Sequence, residues 1–218
     1  MNKINDVKVI AHRGWSAGKE ENTINAFIKA YDKGVCGVEF DVRWASDKKL
    51  PIVSHDPSEH KNALCLNECI EFLSSTQFDL YIEMKEHDEE LFSEVIKLLE
   101  KFNLKERTLV FGFKHVAESF PWGDTDVSLG IITKYPWHIK KDVKRFQPDF
   151  VLTGWDYRWW TRPVFKFMWA TAFSMKRFAK KHDGVKFVAG IAMSKGDYKW
   201  LAKRKGLHAC TVDKPFDW

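Results

Sequence analysis

Gly37–Val38–Glu39–Phe40–Asp41–Val42 is the stretch on which the reading of the fold turns. Apolar residues at 38, 40 and 42 alternate with carboxylates at 39 and 41. In an extended chain, residues two apart share a face. The pattern therefore predicts a β-strand with Glu39 and Asp41 on one side and Val38, Phe40 and Val42 on the other. Two carboxylates this close repel unless positive charge lies between them.

Seven further β-like runs flank this one: Val7–Ala11, Leu80–Met84, Thr108–Phe113, Val127–Ile132, Phe150–Thr153, Val185–Ile191 and His208–Val212. Segments with helical apolar spacing separate most of them, as at Thr23–Asp32, Glu89–Phe102 and Val164–Ala179. Strands alternating with helices imply a parallel sheet with crossovers. Eight such units in 218 residues predict a single-domain α/β TIM-type (β/α)8 barrel over 1–218, a fold that commonly runs to about 250 residues. A doubly wound open sheet is the competing architecture. After the second strand, Asp47–Lys48–Lys49 reads as a turn, and Leu50–Ser54 as a short returning strand that ends at His55–Asp56.

Composition narrows the class. Apolar residues make up 44% of the chain, enough for a substantial core, and the formal charge of +5 is too mild to argue for nucleic acid. Cys36, Cys65, Cys69 and Cys210 form no C-x-x-C pair and read as reduced thiols, with Cys65 and Cys69 on one helix face. Met1–Val9 holds no apolar run that would make a signal peptide, and no window reaches the roughly 18 apolar residues of a spanning helix. A cytoplasmic protein is the expectation.

Catalytic groups of a barrel gather at the C-terminal ends of its strands. There the sequence offers His12–Arg13, Glu39 with Asp41, His55–Asp56, and Glu83 with Lys85. A hard divalent cation with oxygen ligands would relieve the repulsion of Glu39 and Asp41, and Glu83 is a natural third ligand. Arg13 and Lys85 add positive charge suited to an anionic, phosphate-bearing substrate. His12 and His55 can supply the acid and the base. The remaining histidines read as structural or surface residues.

His12–Arg13–Gly14, Glu21–Asn22–Thr23 with Ala26–Phe27, the stretch from Gly37 to Val42, His55–Asp56 and Glu83–Met84–Lys85 together resemble the glycerophosphodiester phosphodiesterases, relatives of the phospholipase C-like phosphodiesterase barrels. Thr211–Val212–Asp213–Lys214–Pro215 is a weaker match. The resemblance implies a TIM-like barrel that uses Mg²⁺ or Ca²⁺, with His12 and His55 as the acid–base pair and Glu39, Asp41 and Glu83 as metal ligands. It places Arg13 and Lys85 on the phosphate, Glu21 near the metal or under the first loop, and Asp56 in support at the hairpin end. It implies that a hydroxyl of the substrate attacks the phosphorus. The chain departs from the family at Glu20, where proline is frequent, and at Ala189–Gly190–Ile191–Ala192, where a Trp–Thr pair is usual. Most of the customary insertion after His55–Asp56 is missing, which makes this a short form.

The expected function is hydrolysis of a glycerophosphodiester or related lipid-headgroup diester to an alcohol and glycerol phosphate. The alternatives are a phospholipase D-like lyase that forms a cyclic phosphate, and a catalytically inactive phospholipid- or membrane-binding barrel. Residues 155–182 fit none of these patterns: seven basic residues accompany one acid, Asp156, among many aromatics. This segment reads as an outer helix and packed loop, as a substrate rim carrying Trp155, Trp159 and Trp160, or as an interfacial element touching the inner membrane face.

Overall fold

The computed structural model describes residues 7–16, 18–47, 50–156, 158–171 and 173–213. Parts of two sequence expectations, Lys48–Lys49 and Lys214–Pro215, lie outside the described residues. Eight parallel strands form the barrel: β1 (Lys8–His12), β2 (Gly37–Trp44), β5 (Asp79–Met84), β6 (Thr108–Phe113), β7 (Ser128–Ile132), β8 (Phe150–Gly154), β9 (Lys186–Ala192) and β10 (Ala209–Val212). Each pairs with its neighbours, and β1 pairs with both β2 and β10, so the sheet closes. Between β2 and β5 stand β3 (Pro51–Val53), antiparallel to β2, and β4 (Leu64–Cys65), antiparallel to β3. β3 is the predicted returning strand; β4, and a 3-10 turn at His60–Asn62 between the two, were not foreseen.

The helices are α1 (Ile24–Lys33), α2 (Leu66–Ser74), α3 (Glu89–Lys101), α4 (Lys114–Ala117), α5 (Ile139–Phe146), α6 (Thr161–Ala170), α7 (Met175–Lys181) and α8 (Lys195–Ala202). Local chemistry sets several starts. The hydroxyl of Thr23 accepts from the Ala26 N–H at the start of α1, and the carboxylate of Asp88 accepts from the Leu91 N–H at the start of α3. Two expectations need correction. Val164–Ala179 is two helices: α6 stops at Ala170, and the Thr171 hydroxyl turns back onto the Phe167 carbonyl at 2.8 Å. Cys65 ends β4 and precedes α2, so only Cys69 lies on a helix face. All four thiols are free.

The two-residue period divides every strand between two cores. Val9, Val38, Phe40, Ile82, Val110 and Val151 face the helices. Ile10, Tyr81, Leu109, Phe111, Phe150, Leu152 and Val188 fill the barrel interior. Above that plug the interior turns polar, because the same inward face continues to His12, Glu39, Asp41 and Glu83. Register places these residues together: His12 is opposite Glu39, and Asp41 is opposite Glu83.

Gly37 permits this register. It stands opposite Asp79, and a Cβ there would lie 2.3 Å from the Asp79 carbonyl oxygen. Gly37→Ala is expected to lower stability in urea unfolding by about 1–3 kcal/mol through overpacking. Gly196→Ala, on helical backbone with room for a methyl, is expected to raise it by up to about 1 kcal/mol.

Candidate active site at the barrel mouth

The first loop shows why its residues recur as a group. Arg13 and Asn22 both adopt left-handed backbone, with φ of 53° and 59°. Gly14 follows at φ 83°, where any Cβ would strike Ala26 at 2.6 Å. The loop therefore lies directly on α1. The Asn22 N–H donates to the Arg13 carbonyl, which closes the loop.

Asp41 collects what this loop presents. Arg13 Nε lies 2.9 Å from Asp41 Oδ2, and Lys85 Nζ lies 2.9 Å from Oδ1. Asn22 Nδ2 donates to Oδ2 at 2.9 Å, and Asn22 Oδ1 accepts the Asp41 N–H in return. Arg13 Nη1 meets Glu21 Oε2 at 2.9 Å, and Lys85 Nζ meets Glu83 Oε1 at 2.7 Å. Burial alone would raise the pKa of Asp41, but Lys85, Arg13 and the Asn22 hydrogen bond hold it below the usual range. Burial opposes the charge of Lys85 too, and Glu83 and Asp41 more than restore it.

Glu39 is placed differently. Oε2 accepts the Arg13 N–H at 3.0 Å. Oε1 is buried with no hydrogen-bond partner among the described residues. Burial, with Asp41 and Glu83 nearby, pushes this carboxyl up to about 8 despite the opposing effect of His12. Ligand oxygens of Glu39, Asp41 and Glu83 lie within 4.8 Å of one another. A bare carboxylate oxygen in an all-oxygen donor set fits a hard divalent cation, so these residues are suited to hold one.

His12 Nδ1 is 2.8 Å from Asp213 Oδ1, while Nε2 is 3.7 Å from Glu39 Oε2. A carboxylate at Nδ1 keeps the proton there and leaves Nε2 as the acceptor in the neutral ring. Burial works against a proton on His12, but Glu39 and the Asp213 hydrogen bond outweigh it and raise its pKa.

Two concavities border this cluster. One, of about 370 Å³, opens above His12, Glu39 and Glu83 between largely apolar walls. The other is a polar groove lined by Arg13, Glu21, Asn22, His55, Asp56 and Lys61. His55 thus lies on the same rim but beside Arg13, with 44% of its side chain exposed and Nδ1 2.9 Å from Asp56 Oδ1. Arg43 Nη1 donates to the His55 carbonyl and fixes the end of the hairpin. Trp155 and Trp160 line the apolar cavity, Trp155 as part of its buried wall. Trp159 is not part of that lining; it is 88% exposed.

The model of the glycerophosphoryl diester phosphodiesterase family matches residues 12–209. The chain belongs to this family. A glycerophosphodiester phosphodiesterase of Caldanaerobacter subterraneus is 27% identical over 49% of this chain, and the match spans 58% of that relative's length. Glycerophosphodiester phosphodiesterase 1 of Rattus norvegicus is 44% identical across 50 residues, 15% of its length. The solved glycerophosphodiester phosphodiesterase of Thermotoga maritima superposes with a TM-score of 0.72 at 22% identity, covering 95% of both chains. A phosphodiesterase of Oleispira antarctica, solved with the product sn-glycerol-3-phosphate, gives 0.73 at 19% identity over 95% of this chain and 93% of that one. These structures share the fold.

Sequence reasoning assigned no role to Asn22, Arg43 or Asp213. Asn22 and Asp213 stood inside quoted motifs, but their partners are distant in the chain or on another strand. Because Glu39 is buried beside Asp41 and Glu83, Glu39→Gln should melt above the wild type in chelator, by about 2–4 °C for each kcal/mol of relieved repulsion. Mg²⁺ or Ca²⁺ is expected to raise the Tm of the wild type, and this variant is expected to lose that rise. Differential scanning calorimetry with and without chelator checks both.

Proposed function

We propose that the protein is a metal-dependent phosphodiesterase that hydrolyses glycerophosphodiesters or related lipid-headgroup diesters to an alcohol and glycerol phosphate. The observation that carries this reading is the juxtaposition of three buried carboxylates, Arg13, Lys85 and an oriented His12 on one rim. Glu39, Asp41 and Glu83 would hold Mg²⁺ or Ca²⁺. When bound, the cation would supply Lewis-acid stabilisation of the charge that develops on the phosphate oxygens. Arg13 and Lys85, each anchored on Asp41, hold fixed positive charge for the phosphate oxygens and need no reorganisation during the reaction.

His12 Nε2 accepts the proton of an attacking substrate hydroxyl, with Asp213 at Nδ1 steadying the resulting imidazolium. His55 protonates the departing alcohol, and Asp56 orients its ring. Glu21 positions Arg13. Water then opens the cyclic phosphate. The open groove at His55 favours this hydrolytic outcome over a lyase that would release the cyclic product, and the intact cluster favours an enzyme over an inactive binding barrel.

Peripheral contact of residues 155–182 with an anionic membrane belongs to the same reading. Its support is Trp159 and Phe167, which are 88% and 69% exposed. Not all of the segment's charge is available to lipid, since Arg162 and Lys166 both pair with the buried Asp197 and Arg158 pairs with Asp156. Lys176, Arg177, Lys180 and Lys181 on α7 remain for anionic headgroups. No helix among the described residues is long and apolar enough to cross a bilayer.

With glycerophosphocholine and Mg²⁺ or Ca²⁺, His12→Ala and His55→Ala are each expected to lower kcat by about 10²- to 10⁴-fold with unchanged circular dichroism. Asp213→Asn should cost about 10- to 100-fold. Wild-type rates in both histidine variants would reject the assignment, and a persistent cyclic phosphate in phosphorus NMR would favour the lyase. In flotation with anionic vesicles at low salt, the protein is expected to rise with the lipid and to lose that behaviour when Trp159 and Phe167 become alanine.

A further inference from the structure

We infer that Arg43, backed by Glu86, is a positioning residue for the departure of the alcohol: it holds the backbone of His55 so that the histidine ring meets the leaving oxygen. This rests on the phosphodiesterase reading and adds to it a residue that does not touch substrate. Arg43 stands two residues beyond Asp41 on β2, so it continues the inward face of Glu39 and Asp41. It is part of the lining of neither concavity, and neither is Glu86. Its guanidinium is committed elsewhere. Nη1 donates to the His55 carbonyl at 2.9 Å, and Nη2 lies 3.3 Å from Glu86 Oε1. The chain just after β5 is tied to β2 by the Lys85 N–H on the Val42 carbonyl at 3.0 Å, which brings Glu86 beside Arg43.

His55 needs such a support. β3 ends at Val53, and the Ser54 N–H on the Asp41 carbonyl is the last bond of that strand to β2. The next backbone bond to this region is at Ser58, whose carbonyl accepts the Ser46 N–H at 2.8 Å. Among the described residues, Arg43 is the only side chain from outside residues 54–58 that hydrogen-bonds to the stretch between these two points. The partner of the ring does not anchor it. Nδ1 meets Asp56 Oδ1, but Asp56 is the next residue in the chain and its side chain is 87% exposed, so the two can turn as a unit. Arg43 and Glu86 are both partly buried, and a guanidinium that bonds a carboxylate and a carbonyl at once has its plane fixed. The His55 carbonyl is thereby held relative to β2 and to the chain that follows β5.

The step that depends on this support is proton transfer to the leaving group. The phosphorus–oxygen bond to the alcohol breaks, and that oxygen takes the proton of His55 Nε2 as it departs, which leaves the ring neutral. Ring and oxygen must meet within hydrogen-bond reach, and a misplacement of about 1 Å can cost about 10²-fold. Attack on phosphorus, assisted by His12, makes no use of Arg43. Loss of Arg43 therefore slows the reaction only where the leaving oxygen needs a proton.

The test follows release of the alcohol in a single turnover, with enzyme in excess and Mg²⁺ or Ca²⁺ present. It compares glycerophosphocholine with the 4-nitrophenyl ester of glycerol phosphate. Choline departs with a proton, whereas nitrophenolate departs without one. Arg43→Met, with unchanged circular dichroism, is expected to slow choline release about 10- to 100-fold and nitrophenolate release about threefold or less. His55→Ala should show the same selectivity, and His12→Ala should slow both. Arg43→Lys keeps the charge and one donor and should recover part of the loss on choline, and Glu86→Ala should show a selective loss of about 3- to 10-fold. If Arg43→Met does not fold, these last two variants carry the comparison. In NMR spectra without substrate, the amide resonances of His55 and Asp56 should shift in Arg43→Met while that of Asn22 stays in place. Equal slowing of both esters by Arg43→Met, slowing of neither, or a selectivity that His55→Ala does not share would overturn the inference and leave the phosphodiesterase reading standing. Wild-type protein that cleaves neither ester with either cation would overturn that reading instead.

Discussion

Burying one carboxylate costs several kcal/mol unless opposite charge or hydrogen bonds compensate it, and strands β2 and β5 bury three side by side. Their register fixes the problem, because Asp41 stands opposite Glu83 and Glu39 lies two residues before Asp41 on the same inward face. The rest of the mouth is organised around the solution. Asp41 receives two permanent cations and an amide, and it becomes the anchor on which Arg13 and Lys85 are held. Glu39 receives less, and its Oε1 has no hydrogen-bond partner among the described residues. The two carboxylates thus differ: Asp41 is enclosed by partners, whereas Glu39 lines the cavity beside His12.

The loop between β1 and α1 follows from that requirement. Arg13 reaches Asp41 from left-handed backbone, and Asn22 reaches it from the same rare conformation. Gly14 and the small Ala26 let the loop lie against the helix, and Thr23 starts that helix at the point where Asn22 has finished its contacts. Five short-range features thus serve one long-range contact. A change at Gly14 would act through the position of Arg13 although Gly14 touches no part of the charged cluster itself.

This division explains what the sequence could show. The eight strands were legible because barrel strands bury two faces with different contents, and the inward face changes from apolar to charged at one height. Glu39 and Asp41 display this within six residues. The motif residues were legible from their resemblance to the family, although few of their contacts, such as Thr23 on Ala26, are local. Asp213 on His12, 201 positions apart, was not legible, since closure of the barrel alone brings β10 beside β1. The break between α6 and α7 was hidden for another reason. Apolar spacing runs on through Phe173 and Phe178, which stack on each other at 6.0 Å, so periodicity continues where backbone hydrogen bonding does not.

The aromatic, basic stretch after β8 shows the same principle at the surface. From composition it is one cationic, ring-rich patch. In the fold its members separate by partner. Trp155 and Trp169 enter the core, and Lys166 sits 5.6 Å from the ring centres of both Trp155 and Trp200 while pairing with Asp197. Asp197 also takes Arg162 and the Ser194 hydroxyl. That buried carboxylate joins α6 to α8 and so holds α6, with Phe165 and Met168, against the cavity. The wall that gives the mouth its apolar half is fixed by an ion-pair cluster, just as the polar half is fixed by Asp41. One carboxylate holds Arg13 and Lys85 in place, and the other holds the helix whose Phe165 and Met168 line the apolar cavity.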